Sequence, residues 1–178
     1  LWCVGVMPGV NMGQNARCLL RLVTGECLAA YALPEPGSGS DRAAMRANGR
    51  LDGDSYLLSG GKRFITSAGI ASLYGVFAKT DPEQGHGGIS ALVVEASTPG
   101  FELGRIEPKT GIKGSPTGAL FSHDARIPAS TLPGEAGGRY KSARRVRGSP
   151  RPRHRAAGLG LATWRHRDTG PPAHATDD

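Results

Sequence analysis

The spacing of apolar positions changes near residue 27 of this chain, and the change predicts a helix followed by strands. Over residues 11–23 apolar side chains recur at the spacing of one helix face, which predicts a short helix. Asn11 is suited to cap its start, and Thr24-Gly25 is suited to end it. After residue 27 the apolar runs become short and are separated by Gly, Pro, Asp and Ser.

These short runs are rich in β-branched, aliphatic and aromatic residues, which is typical of strands. Strands are predicted at residues 28–33, 55–59, 62–66, 73–79, 89–95, 101–106 and 119–127. Turns are predicted at Asp52-Gly53-Asp54 and at Gly60-Gly61, between the early strands. Strands of this length and spacing predict an all-β barrel or sandwich, so we expect a mainly β fold.

The charged residues divide the chain into two parts. Its 178 residues include 22 Lys and Arg against 15 Asp and Glu, a formal net charge of +7. Acidic and basic residues balance over residues 1–138, so residues 139–178 carry the whole excess. That segment is rich in Arg, Pro, Gly and His and has no sustained apolar pattern. We expect it to be disordered, because it cannot bury enough surface to offset the entropy of ordering.

Other classes of protein are disfavoured by what the sequence lacks. No apolar run approaches the length of a membrane span, and the start shows neither the basic leader nor the cleavage site of a signal peptide. The three cysteines form no C-x-x-C pair and the five histidines show no metal-ligand spacing. We therefore expect a soluble, cytoplasmic chain with reduced cysteines and no metal site.

Six short motifs follow one another along residues 24–128. L-P-E-P-G-S-G-S-D at residues 33–41 resembles the T-E-P-G-x-G-S-D signature of the acyl-CoA dehydrogenases, and G-G-K-R-F-I-T at residues 60–66 is similar to their N-G-x-K-x-[WF]-I-T segment. Further matches are T-G-E at 24–26, T-P-G-F at 98–101, K-G-S-P-T at 113–117 and R-I-P at 126–128. Alone, G-S-G-S is more often a linker than a binding loop, but an ordered series is far more specific.

The resemblance implies a protein of three parts: a helical N-terminal domain, a middle β-barrel domain and a C-terminal four-helix bundle. Residues 1–26 would be the end of the first, and residues 27–138 the middle domain that binds flavin and acyl-CoA. Residues 139–178 would replace the bundle with a disordered Arg/Pro/Gly-rich tail. That composition is expected when a GC-rich gene is read out of frame, so a frameshifted or truncated product is our preferred explanation. A genuine solvated basic tail is the alternative.

The activity implied by the resemblance is the α,β-dehydrogenation of an acyl-CoA thioester, with hydride transfer to N5 of FAD. In the family a Glu of the C-terminal bundle removes the Cα proton, so no residue of this chain is assigned as catalytic. The implied partners are the acyl-CoA substrate and an electron-transfer protein, and the intact family forms homo-oligomers. The implied process is fatty acid metabolism.

The residues assigned to the cofactor by the resemblance all lie within or just before the first two motifs. They are Tyr31, Leu33, Pro34, Gly39, Ser40, Phe64, Ile65 and Thr66. Backbone groups of the first three would bond the pyrimidine edge of the flavin, and the last three would pack on the ring and bond near N5. Ser40 would also contact the thioester arm of the substrate. Ser115 and Thr117 are either close to the flavin, as in the family, or ordinary turn residues.

This chain departs from the family at three positions within or next to these motifs. Pro34 stands where the family usually has Thr, which removes a hydroxyl and an N–H donor, each worth about 1 kcal/mol as a hydrogen bond. Phe64 replaces Trp and still covers a ring face, while Ser67 replaces Asn. We therefore expect weakened flavin binding.

Two other functions remain open from the sequence. One is a non-catalytic remnant that holds FAD weakly or not at all. The other is salt-dependent binding of nucleic acid by the basic tail, for which Tyr140 and Trp164 supply too few aromatic side chains to stack bases.

Overall fold

The computed structural model describes residues 20–39, 41 and 44–131, and it is mainly β as predicted. Its elements are α1 (Leu20–Val23), β1 (Ala29–Ala32), β2 (Asn48–Asp52), β3 (Ser55–Thr66), β4 (Leu73–Lys79), β5 (Ile89–Glu95), β6 (Phe101–Ile106) and β7 (Thr117–Pro128), with 3-10 helices at Pro82–Gly88 and Ala129–Thr131. The predicted helix start, the boundary at residues 138/139 and the basic tail lie outside the described residues, and nothing in the structure tests the boundary at residues 26/27, so those predictions stay predictions.

The seven strands form one curled sheet, a half-barrel, in the order β1-β4-β2-β3-β7-β6, with β5 on the other side of β4. β1 and β2 run parallel to β4, and every other pairing is antiparallel. β1 and β3 are not neighbours in this order. β1 and β3 are nevertheless in contact, and this contact is not part of a hydrogen-bonded ladder between neighbouring strands.

The prediction of a turn at Gly60-Gly61 is wrong, because β3 continues through both glycines and pairs with β7 on either side of them. Gly60 lies at a shift in the β3–β7 register and has a φ of 141°. A Cβ there would lie 2.7 Å from the Cα of Ala47. Glycine is needed at this position for a close backbone approach, not for a reversal of the chain.

β2 was not predicted, since its sequence N-G-R-L-D has no apolar alternation. It forms a hairpin with β3, in which Asp52 pairs with Ser55 across Gly53 and Asp54. This confirms the predicted turn, and Gly53 takes the positive φ (64°) that such tight turns require.

The core is formed by buried side chains from six of the seven strands. β4 is buried along nearly its whole length, as expected for a strand with neighbours on both edges. It packs with fully buried side chains from the other strands, among them Leu58, Ile65, Leu92, Leu120 and Ile127. In the described part of the chain no helix is both long enough and apolar enough to cross a membrane.

Candidate functional site

The first two sequence motifs meet where the chain leaves β1 and passes beside β3. The backbone N–H of Arg63 donates to the carbonyl of Pro34 at 2.9 Å. The ammonium of Lys62 donates to the carbonyl of Leu33 at 3.2 Å. The structure therefore brings together residues that the sequence placed in separate motifs.

The first motif folds as a tight turn. The N–H of Glu35 donates to the Ser38 carbonyl at 3.0 Å, and the N–H of Ser38 donates back to Glu35 at 3.2 Å. Pro36 and Gly37 occupy the two corners, as their turn preferences favour. Gly39 follows on the exposed surface, and the predicted substrate contact Ser40 lies outside the described residues.

A buried ion pair lies directly beneath this junction. Lys62 Nζ lies 2.8 Å from Glu35 Oε1, and the two side chains are only 2% and 5% exposed. The carboxylate of Glu35 also accepts the N–H groups of Arg46 at 2.7 Å and Ala47 at 3.1 Å, just before β2. One carboxylate thus joins three segments of the chain.

The surroundings of the pair shift both ionisation equilibria. Burial alone would raise the pKa of Glu35, but the hydrogen bonds from Lys62 and from the amides of Arg46 and Ala47 lower this pKa below its usual 4.5. Burial lowers the pKa of Lys62, and the nearby Glu35 carboxylate opposes that change. We therefore describe Glu35 and Lys62 as an ion pair at neutral pH, because three hydrogen-bond donors surround the Glu35 carboxylate.

The second motif contains a bulge that turns an aromatic ring outward. The register of β3 against β7 shifts between Lys62 and Ile65, and Phe64 within this shift has a φ of 59°. Phe64 is 56% exposed, Ile65 is fully buried, and Thr66 is exposed again. The Arg63 guanidinium lies 4.8 Å from the centre of the Phe64 ring and also pairs with Glu107 at 3.1 Å. A positive φ at an aromatic residue is strained backbone of the kind that accumulates at functional sites.

The other predicted cofactor residues differ in what they can present to a ligand. Tyr31 pairs with Gly75 of β4, and its ring packs against Phe77 with the ring centres 4.9 Å apart. Leu33 is buried, and the side chain of Ile65 belongs to the core. These residues could contact a cofactor mainly through backbone atoms.

The loop before β7, whose role the sequence left open, lies beside the end of β3. Thr66 pairs with Thr117, and the N–H of Ser67 donates to the carbonyl of Pro116 at 2.8 Å. Lys109 holds the loop by donating to the carbonyl of Ser115. Three motifs therefore converge along the second half of β3.

Sequence reasoning did not select Glu35, Lys62 or Arg63 as site residues. The sequence feature that could have identified them is that Glu35 and Lys62 lie within the two motifs. In the sequence alone, however, each resembles an ordinary charged surface residue. Only the burial and the contact between them distinguish the pair from solvated side chains.

The arrangement fits a flavin in part. A flavin needs an aromatic or apolar surface for its planar ring and polar groups for its pyrimidine edge. Phe64 and Thr66 offer an exposed ring and an exposed hydroxyl two residues apart. Pro34 offers no N–H, and its carbonyl is already bonded to Arg63. An aromatic surface for the ring is therefore present, but the N–H and the hydroxyl of the usual Thr are both missing at position 34.

Comparison with known proteins agrees with this geometry. Residues 30–125 match the family described as the acyl-CoA dehydrogenase middle domain. A probable acyl-CoA dehydrogenase of Mycobacterium leprae is 43% identical over 135 residues, which is 76% of this chain and 35% of that protein. The chain thus spans about a third of the length of the curated relatives it matches.

Solved structures resemble the fold at a similar level. The acyl-CoA dehydrogenase of Geobacillus kaustophilus superposes with a TM-score of 0.75 at 41% identity, over 78% of this chain and 37% of that one. An FAD-dependent dehydrogenase superposes with a TM-score of 0.75 at 30% identity, over 78% of this chain and 37% of its own. With a family match over more than half of its length, this chain belongs to the acyl-CoA dehydrogenase family, of which it contains part of the middle domain.

Proposed function

We propose that this chain is the FAD- and acyl-CoA-binding part of an acyl-CoA dehydrogenase and binds the isoalloxazine ring at the second half of β3. The observation that carries the proposal is the convergence at β3 of residues 33–34, on one side, and of the loop that contains Pro116, on the other. The exposed Phe64 ring lies between these two junctions in sequence and is held outward by the bulge.

When bound, FAD supplies the hydride acceptor for oxidation of the acyl Cα–Cβ bond. Phe64 covers one face of the ring and excludes water from it, and Thr66 donates a hydrogen bond from its hydroxyl. The backbone of Tyr31, Leu33 and Ile65 would line the ring edge, and the family resemblance assigns Gly39 and Ser40 to the cofactor and Ser40 also to the thioester arm. Pro34 lacks the donor of the usual Thr, so we expect weaker flavin binding than in the family.

We propose that turnover needs more than this chain provides. The resemblance assigns the proton-abstracting Glu to the C-terminal bundle, which the sequence after residue 138 does not resemble. Acyl-CoA binding, electron transfer to a partner protein, homo-oligomer formation, a cytoplasmic location and a role in fatty acid metabolism are therefore proposed for the complete protein. A remnant without flavin binding is the alternative.

FAD titration of the chain, followed by flavin fluorescence, tests this proposal. We expect saturable quenching by the wild-type chain and about tenfold weaker binding by Phe64→Ala, because base- or ring-stacking on one aromatic side chain contributes about 1–3 kcal/mol. Leu51→Ala is the matched control, since Leu51 is also 56% exposed but lies on β2. Absence of saturable binding would favour the remnant, and equal losses in both variants would contradict a flavin site at Phe64.

A further inference from the structure

We propose that Glu35 and Lys62 form a positioning pair, whose buried contact fixes the backbone of residues 33–34 against that of residues 63–66 and so shapes the flavin site. This inference rests on the proposed function for its ligand. Its structural part, the alignment of two backbone segments, can be tested without one.

The strand order shows why β1 and β3 need contacts of this kind to set their relative position. β4 and β2 lie between β1 and β3 in the sheet, so no ladder of hydrogen bonds sets the distance between β1 and β3 in the described residues. The segment after β1 reaches β3 through the contacts of Lys62 with Leu33 and Glu35, and of Arg63 with Pro34. Lys62 takes part in two of these three contacts.

The position of Lys62 links the pair to the bulge. Lys62 is the last β3 residue in register with β7, opposite Leu120, before the shift that turns Phe64 outward. Its side chain points into the interior, where the Leu33 carbonyl and Glu35 hold it. Loss of the Lys62 side-chain contacts would therefore move the start of the bulge as well as the end of β1.

Stability alone gives little reason for such a pair. Removing two charges from water is so costly that apolar residues of similar volume often serve a core equally well or better. Glu35 also needs three donors, two of them backbone N–H groups, to remain charged in the interior. An arrangement with these demands is better suited to fixing geometry than to stabilising the fold.

Neutral replacement of both residues separates positioning from stability. The test uses the 178-residue chain as wild type, Lys62→Met, Glu35→Gln and the double variant Glu35→Gln/Lys62→Met. In the double variant no charge is left unpaired, although the single Gln amide oxygen can replace only one of the two Glu35 oxygens that accept from Arg46 and Ala47. Arg126→Met is the matched control, because it breaks an exposed pair with Asp52 (2.7 Å).

Three quantities are measured: thermal midpoint, FAD dissociation constant and hydrogen exchange of the Arg63 amide. We expect the double variant to regain part of the thermal midpoint lost by Lys62→Met, while FAD binding stays about tenfold weaker and Arg63 exchange about tenfold faster than in wild type. The control Arg126→Met should change neither FAD binding nor exchange of the Arg63 amide. If wild type fails to bind FAD, the proposed function fails, and Arg63 exchange alone then decides the positioning role.

Two results would overturn the proposal. One is a folded double variant with wild-type FAD affinity and wild-type protection of the Arg63 amide, or with wild-type protection alone if wild type binds no FAD. The other is a double variant that does not fold, because the pair would then be a requirement of the fold itself.

Discussion

The N–H of Arg63 donates to the carbonyl of Pro34 at 2.9 Å, so the residue that departs most from the family motif is bonded directly to the strand that carries Phe64. The carbonyl of Pro34 is therefore already hydrogen-bonded, and proline has no backbone N–H to donate. Under the proposed function, the hydrogen bonds lost at Pro34 are those to the cofactor, while the hydrogen bond to β3 is retained.

Replacing Pro34 with Thr should strengthen FAD binding. Thr restores an N–H and a hydroxyl without disturbing the bond from Arg63, and one recovered hydrogen bond of about 1 kcal/mol lowers the dissociation constant about fivefold. Fluorescence titration measures the change. Pro36→Ala, in the adjacent turn, is the control and should leave the affinity as in wild type.

Breaking the buried ion pair should cost far more stability than breaking an exposed one. Lys62→Met leaves the Glu35 carboxylate buried without its cation, which we expect to lower the free energy of unfolding by about 3–5 kcal/mol. Arg126→Met removes an exposed partner of Asp52, and we expect a loss of at most about 1 kcal/mol. Urea unfolding followed by circular dichroism measures both, and comparable losses would contradict the assigned burial.

Stability should fall in acid through protonation of Glu35. Its pKa is lowered on folding, so its contribution is present in full above the usual value of 4.5 and is lost as pH falls through the lower folded value. Urea unfolding between pH 6 and pH 3 measures this loss. The slope should be shallower in Glu35→Gln, and an unchanged slope would assign the acid sensitivity to other carboxylates.

Ile112→Gly should stabilise the chain. Ile112 has a φ of 53° and is 76% exposed, so glycine removes backbone strain at little loss of packing. We expect the free energy of unfolding to rise by about 1 kcal/mol. Ile70→Gly is the control, because Ile70 is also largely exposed (52%) but is not among the residues with positive φ. It should lower stability.

Gly60→Ala should be strongly destabilising. Its Cβ would lie 2.7 Å from the Cα of Ala47, and the φ of 141° is unfavourable for alanine. Gly37→Ala provides the comparison, since an added Cβ there meets nothing within 4 Å. Thermal unfolding should show a loss of several kcal/mol at Gly60 and a small change at Gly37.

Local patterns were sufficient to predict the strands with clear apolar runs. β4, β5 and β6 have the predicted bounds, because each is a short apolar or alternating segment between turn residues. β2 was missed because pairing with β3, rather than its own composition, makes it a strand. The division of β3 at Gly60 was wrong because the close approach of Ala47 cannot be seen from neighbouring residues in the sequence.

The site was predicted unevenly for the same reason. Motif resemblance pointed to both segments that meet at Pro34 and Arg63, but not to their contact. Burial of Lys62 and Glu35 depends on how the sheet curls to bring β1 to β3, which is a property of the whole fold. The outward turn of Phe64 and the inward direction of Ile65 both depend on the bulge, because the alternation of buried Tyr56, Leu58 and Lys62 would turn position 64 inward.

Mapping FAD contacts by the amide chemical shifts of the isotopically labelled chain tests the central claim most directly. We predict that added FAD shifts the amides of Arg63, Phe64, Thr66 and Ser67 and leaves those of Ala91–Val93 on β5 unchanged. Shifts centred on another part of the sheet, or no shifts at saturating FAD, would contradict a flavin site at the second half of β3.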